Sequence, residues 1–278
     1  MAIGLLLIEY ESLALAAAAI QHDFIDGSLA VEDARSILPT VLKLLEDESI
    51  SLVVASQDWH PANHVSFASA HPSGTAKPFT SFDYYHPLQP DQPIKQELWP
   101  DHCVQGTRGA EIEPELAEKL EAITPGCLRA AGFAPKTTDE VARGPTGKEV
   151  ILVQKGDDLA ADGYSAFSLN GNIGFTNLPR TLLTWRRKSS SHSEPSAATD
   201  GSDIIDTLIL CGLATDYCCL RTALDARRFG FRTIVVEDGM RGVAPDTVSS
   251  AWEDMKRWGC ERVKTADEAI RLAQTRQT

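Results

Sequence analysis

No apolar run in this 278-residue chain is long enough to cross a bilayer, and no internal repeat is present. Basic residues are in short supply. Lysine and arginine number 26 against 39 aspartates and glutamates, a formal charge of −13 at neutral pH, which argues against nucleic acid or an anionic membrane surface as a partner. The 6 cysteines have no framework spacing, two of them are adjacent, and a chain of this length does not need cross-links to hold a core. That points to a reducing compartment. The apolar start carries Glu9 and Glu11 and has no basic lead, which argues against a secretory signal, and Arg276-Gln277-Thr278 is no peroxisomal address. The expected location is the cytoplasm, with nucleus or peroxisome left open, and not secretion.

What is present is an alternation. Strand-like runs at Ser51 to Ser56, Glu149 to Val153, Asp206 to Leu213 and Thr233 to Glu237 are interleaved with amphipathic stretches at Val31 to Leu45, Arg108 to Ile123 and Leu220 to Phe229. Asp246 is read as the N-cap of a helix reaching Trp258, and Thr265 as the cap of the last helix. This pattern predicts an α/β fold, doubly wound, with a mostly parallel central sheet flanked by helices on both faces, and chemistry at the carboxyl ends of the strands. With no linker that demands two units, residues 1–278 are read as a single domain with an atypical N-terminus (1–20). Two stretches without periodicity read as excursions: 134–148, and the low-complexity 186–202, expected to be a mobile loop with an inert His192 and a solvated basic cluster.

Four segments carry chemistry. Cys211-Gly-Leu-Ala-Thr-Asp-Tyr-Cys-Cys219 reads as a buried strand, a turn of small residues and a thiol at the mouth of a helix. The first-turn amides and the helix dipole favour a thiolate there and can receive an oxyanion. In Gln57-Asp-Trp-His-Pro-Ala-Asn-His64, Asp58 and His60 are two apart, so an extended backbone points both side chains the same way, toward a divalent ion. His64 either adds a ligand or holds the loop through hydrogen bonds. Leu98-Trp-Pro-Asp-His-Cys103 supplies another imidazole, His102, beside Trp99; the plainer reading is that Trp99 and Pro100 pin a loop above Cys103. Finally, Lys155 leaves the end of a strand, where an ammonium beside a thiolate would lower the thiol pKa.

Together these segments resemble the nicotinamidases of the isochorismatase-like cysteine hydrolase superfamily, particularly those of fungi. The matching pieces are Gln21-His-Asp-Phe24, Gln57-Asp-Trp-His-Pro61, His64-Val-Ser-Phe67, Leu98-Trp-Pro-Asp-His-Cys103, Lys155-Gly156, Tyr164-Ser-Ala-Phe167 and Gly212-Leu-Ala-Thr-Asp-Tyr-Cys218. They occur in the family's order, and jointly they are specific. The resemblance implies an amide hydrolase that converts nicotinamide to nicotinate and ammonia through a Cys thioester in NAD salvage, with pyrazinamide also accepted and a homo-oligomer left open. It implies Cys218 as nucleophile, Lys155 as the lysine of its triad, and a cis peptide before Ala214 that turns the Ala214 amide, with that of Cys218, into an oxyanion hole. It implies Phe24, Trp99 and Tyr164 as aromatics around the substrate ring. Asp58, His60 and His102, with His64 as a possible fourth, match the ligands of one divalent ion: zinc, with iron or manganese as alternatives.

One departure stands out. The family reads Asp-x-Gln-x-Asp-Phe at the end of its first strand, and its first Asp shuttles the proton. Without a gap, that position is Ala19. Leu13 to Ile20 is nearly all alanine and leucine, composition that favours a helix, whereas Gly4 to Glu11 looks like the strand, with Glu9 where the Asp should be. That second alignment needs an insertion of about ten residues before Gln21. Three readings stay open: Glu9 reaches the site; the protein binds metal and pyridine carboxamides but turns over poorly; or this N-terminus is mis-assembled and the natural protein carries the Asp. A related isochorismatase-like amidase acting on another small amide is the rival among enzymes.

Overall fold

The computed structural model describes residues 12–72, 76–128, 148–185 and 204–275. Six parallel strands form the central sheet: β1 (Ser12–Ala18), β2 (Ile50–Asp58), β5 (Glu149–Lys155), β6 (Ile205–Leu213), β7 (Arg232–Arg241) and β8 (Glu261–Val263), in the order β5-β2-β1-β6-β7-β8. A small antiparallel hairpin, β3 (Ser81–Tyr84) and β4 (Ile94–Glu97), stands apart. The helices are α1 (His22–Ile25), α2 (Leu38–Glu46), α3 (Pro114–Ile123), α4 (Leu178–Thr184), α5 (Leu220–Arg228), α6 (Pro245–Arg257) and α7 (Ala266–Ala273).

The first strand corrects the sequence reading. The alanine-rich stretch read as helical is β1, at the centre of the sheet, in register with β2 and β6 on either side. Alanine's helix preference is a fraction of a kcal/mol per residue and yields to two flanking ladders of backbone hydrogen bonds. Alternation then divides its side chains. Leu13, Leu15 and Ala17 pack with Val41 and Leu44 of α2, Leu116 and Leu120 of α3 and Ala269 of α7. Ala14 faces Leu178 and Leu182 of α4, while Ala16 and Ala18 face Leu220 and Ala223 of α5 and Ala251 and Met255 of α6. Helices therefore cover both faces, and the gapless alignment that puts Ala19 at the end of the first strand is the one the fold adopts. Gly4 to Glu11, including Glu9, lies outside the described residues, as do 134–147 and 186–202 with His192.

Three helix starts also shift. The stretch 31–37 holds Asp33 at φ 55° and a 3-10 turn, so α2 begins only at Leu38, with a proline in its first turn. Likewise 108–110 is a 3-10 turn and α3 begins at Pro114, where the Glu113 side chain accepts from the Leu116 amide. Proline fixes φ without costing an intrahelical bond there, which sets both starts. The cap residue of α6 is Ala244, not Asp246, which lies in the first turn. Thr265 caps α7 in a reciprocal box with Glu268, as expected.

Candidate active site

The carboxyl ends of β1, β2, β5 and β6 converge. β6 ends in a cis peptide, Leu213–Ala214, and the chain makes one π-helical turn, Thr215–Cys219, before entering α5. Within the turn the amides of Tyr217 and Cys219 both donate to the Ala214 carbonyl at 3.1 Å. Cys218 is thereby held under the sheet edge, buried, with Lys155 beside it.

Lys155 ends β5, directly opposite Asp58 in the β2–β5 register. It is 1% exposed, far from the surface setting usual for lysine. Burial of an ammonium is tolerated because its three donors are used: Nζ donates to the Gly163 carbonyl at 2.9 Å, reaches Cys218 Sγ at 3.3 Å, and pairs with Asp58 Oδ1. Burial alone would lower its pKa, but Asp58 and Cys218 outweigh it and raise the value, so the side chain stays charged. Lys155 pulls the Cys218 thiol toward ionisation, the direction expected from the sequence, and burial opposes it. Burial pushes Cys218 up to about 12, and the pull of Lys155 only partly offsets it.

Next to this pair stand Asp58, His60 and His102, all buried, whose ligand atoms lie within 4.8 Å of one another. His60 Nδ1 bonds the Gly156 carbonyl and His102 Nδ1 the Pro100 carbonyl, each at 2.8 Å, which leaves Nε2 of both rings as the ligand atom. His60 Nε2 lies 3.6 Å from Asp58 Oδ2. Gly156 has φ 63°, and a Cβ there would come within 2.4 Å of the His60 ring, so glycine is required for the ring to sit where it does. Burial drops His102 to about 4, leaving it a neutral lone-pair donor; His60 resists burial through Asp58 and is raised instead. Asp58 is lowered: burial works against ionisation, and Lys155 and His60 together overcome it. One carboxylate and two anchored imidazoles fit a zinc-type or similar divalent ion.

His60, His64 and Asp162 also bring ligand atoms within 4.8 Å. Here the donors are already committed. His64 Nδ1 bonds Ser66 Oγ at 2.7 Å, Nε2 faces the Ala161 carbonyl at 3.4 Å, and Asp162 accepts from the Gly163 amide and from Gln96 Nε2. Of the two roles open to His64, the hydrogen bonds favour holding the loop. Its ring stacks on His60 with centroids 4.4 Å apart, and burial drops its pKa to about 4.

The aromatic walls gather above. Trp99 is nearly perpendicular to both Tyr164 (6.5 Å, 82°) and Tyr217 (4.9 Å, 86°), and its indole N–H donates to the Tyr164 hydroxyl at 3.1 Å. Phe24 sits apart from these three, edge-on to His102 at 5.6 Å. Sequence reasoning missed Tyr217; its place immediately before the nucleophile was the available signal. It also missed the Gly163 carbonyl beneath Lys155, for which a sequence carries no sign.

At the end of β1, Ala19 is fully buried, with φ 47° and its amide donating to the Ser56 carbonyl. The residues just after it keep their shaping bonds. Gln21 clamps the backbone of Asp58 from both sides, donating to its carbonyl at 2.9 Å and accepting from its amide at 2.7 Å. Asp23 accepts from the Cys103 amide at 2.7 Å and so fixes the loop carrying His102. The scaffold that aims Asp58 and His102 is thus complete without a carboxylate at position 19.

An isochorismatase domain model matches residues 200–268, which span β6 to α7. The nicotinamidase of Escherichia coli strain K12 is 34% identical over 253 residues, covering 89% of this chain and 92% of its own length. Among solved structures, the Acinetobacter baumanii nicotinamidase/pyrazinamidase superposes with a TM-score of 0.67 at 31% identity, covering 93% of this chain and 98% of that one. The pyrazinamidase of Pyrococcus horikoshii in complex with zinc follows at 25% identity and a TM-score of 0.56, covering 91% and 99%.

Proposed function

The chain belongs to the nicotinamidase family of isochorismatase-domain hydrolases, and on that premise we propose that it hydrolyses nicotinamide to nicotinate and ammonia by attack of Cys218 on the carboxamide carbon. The observation that carries this reading is the placement of Cys218 Sγ 3.3 Å from a buried Lys155 that also pairs with Asp58, a member of the Asp58, His60 and His102 cluster.

The rings hold a flat heteroaromatic substrate, with Phe24 on the side of His102. Asp58, His60 and His102 hold one divalent ion, for which we favour zinc, the ion in the similar Pyrococcus horikoshii structure; iron or manganese suits the same donors. Such an ion would supply a Lewis-acidic point for the ring nitrogen. Nicotinamide and pyrazinamide share that nitrogen and the carboxamide, so both are substrates.

Sulfur then adds to the carboxamide carbon, and the carbonyl oxygen takes up the negative charge. The amides of Ala214 and Cys218 receive it, while the Lys155 ammonium stabilises charge developing on the sulfur. Collapse of the adduct breaks the C–N bond and leaves an acyl thioester on Cys218; water attacks that ester and frees nicotinate and the thiol. Two proton transfers belong to the first half: one off the Cys218 thiol and one onto the departing nitrogen, because the amide anion is too poor a leaving group. Lys155, held in its charged form, is no acceptor. At the end of β1 the position suited to a shuttling carboxylate holds Ala19, so proton transfer is the step for which this chain is least equipped.

That observation favours a second reading, in which the protein binds the ion and pyridine carboxamides but turns over slowly. Ammonia release from nicotinamide, measured beside nicotinamide binding on the metal-loaded protein, separates the two. Release abolished in Cys218→Ala supports the enzyme reading. Binding without release supports the other, and neither binding nor release contradicts both. The product places the reaction in salvage of pyridine nucleotides.

A further inference from the structure

The turn that carries the nucleophile has one charged side chain of its own, Asp216, and it points away from the chemistry. It is 8% exposed. Its Oδ1 accepts from the Val243 amide at 3.0 Å, and its Oδ2 accepts from the Ala244 amide at 3.3 Å and from Thr247 Oγ1 at 2.5 Å. Val243 and Ala244 are the last residues before α6, and Ala244, its cap residue, has no side chain able to satisfy the orphan amides of that helix. A carboxylate two residues before Cys218 thus binds the two amides that lead into α6 and the hydroxyl of Thr247 in its first turn. The approach is close: a Cβ on Gly242 would lie 2.8 Å from Asp216 Oδ1 and 2.1 Å from the Val248 side chain.

The other end of this connection is fixed. Ala251 and Met255 of α6 pack with Leu220, Ala223 and Leu224 of α5 in one cluster. The turn Thr215–Cys219 thus hangs between the end of β6 and the start of α5, and Asp216 ties its middle to an anchored helix. We propose that Asp216 is a positioning residue for the reaction assigned above: by grasping the N-terminus of α6 it sets the orientation of the turn, and through it the Ala214 and Cys218 amides and the Cys218 sulfur. It touches none of the reacting atoms. This inference rests on Cys218 being the nucleophile.

The test compares Asp216→Asn, Asp216→Ala and Thr265→Ala, the last removing the cap of α7 far from the nucleophile turn as a control for loss of a helix cap alone. Asparagine keeps the shape and one acceptor oxygen. Expected are a fall in kcat of about tenfold for Asp216→Asn and about a hundredfold for Asp216→Ala, with KM within about threefold, the pattern of misplaced reacting groups rather than lost binding. A second readout does not need turnover: alkylation of Cys218 by iodoacetamide, mapped by mass, rises at least about fivefold in Asp216→Ala as the turn loosens. At the same drop in melting temperature, Thr265→Ala changes neither kcat nor alkylation. The proposal is overturned if Asp216→Asn and Asp216→Ala keep parental kcat and alkylation, or if Thr265→Ala reproduces their effects. Should the parent release no ammonia, the assigned reaction fails on its own, and the alkylation comparison still decides whether Asp216 holds the turn.

Discussion

β1 and β6 lie side by side at the centre of the sheet, and their carboxyl ends meet the same site, yet they have fared differently. The end of β6 carries the thiol, the turn and its amides that the proposed reaction would use, with a carboxylate tying the turn to the lead-in of α6. The end of β1 has its hydrogen-bonded architecture with an alanine at its tip. Gln21 clamps Asp58 and Asp23 fixes the His102 loop, while Ala19 stands where the proposed reaction would use a proton carrier. Shape and reactivity are therefore separable here: the hydrogen bonds that aim the site come from side chains other than the one that would move the proton.

The sharpest way to break this contrast is at β6. Cys218→Ala should lower ammonia release by at least about 10⁴-fold while leaving the melting temperature within a few degrees, checked by a coupled ammonia assay and thermal unfolding. A folded variant with residual turnover would move the chemistry elsewhere. The intermediate case is the donor set that both strand ends support. His102→Ala should cut the affinity for zinc at least about tenfold, read by metal analysis after dialysis, with the fold retained. A smaller effect belongs to the rings: Tyr217→Ala should raise the KM for nicotinamide several-fold, up to about tenfold, with little change in kcat. The smallest concerns stability alone. Burial raises the Cys211 thiol, in the middle of the site-bearing end of β6, to about 12. Below the pKa of an unfolded thiol, about 8.5, both states are protonated and this contribution is fully present. Above it the unfolded chain binds fewer protons than the native one, so stability falls between about pH 9 and pH 12. Unfolding midpoints in denaturant should therefore drop across that range in the parent and drop less in Cys211→Ala.

The layers, the strands β2, β5, β6 and β7 and the capping of α7 were legible in the sequence because periodicity and turn chemistry agreed there. β1 was not, because seven residues of serine, leucine and alanine carry a helical propensity that only the two neighbouring ladders overrule. The start of α2 was hidden by a left-handed Asp33, and the hold on the lead-in to α6 by a carboxylate about thirty residues upstream, since local reading cannot see a partner brought in by the fold. In the site, the Asp58, His60 and His102 cluster and the Cys218–Lys155 contact come together among the residues that spacing and resemblance singled out. Tyr217 could have been singled out from its position. The upward push on the Cys218 thiol could not: it follows from a degree of burial that no sequence pattern reports.

Both strand ends are tested together by measuring kcat for ammonia release from nicotinamide in the parent and in Ala19→Asp, each loaded with zinc. If the site is complete except for the proton carrier at β1, the substitution should raise kcat by a factor on the order of 10² or more with KM little changed. Equal kcat values in two folded, metal-loaded proteins would contradict this and place proton transfer away from the end of β1.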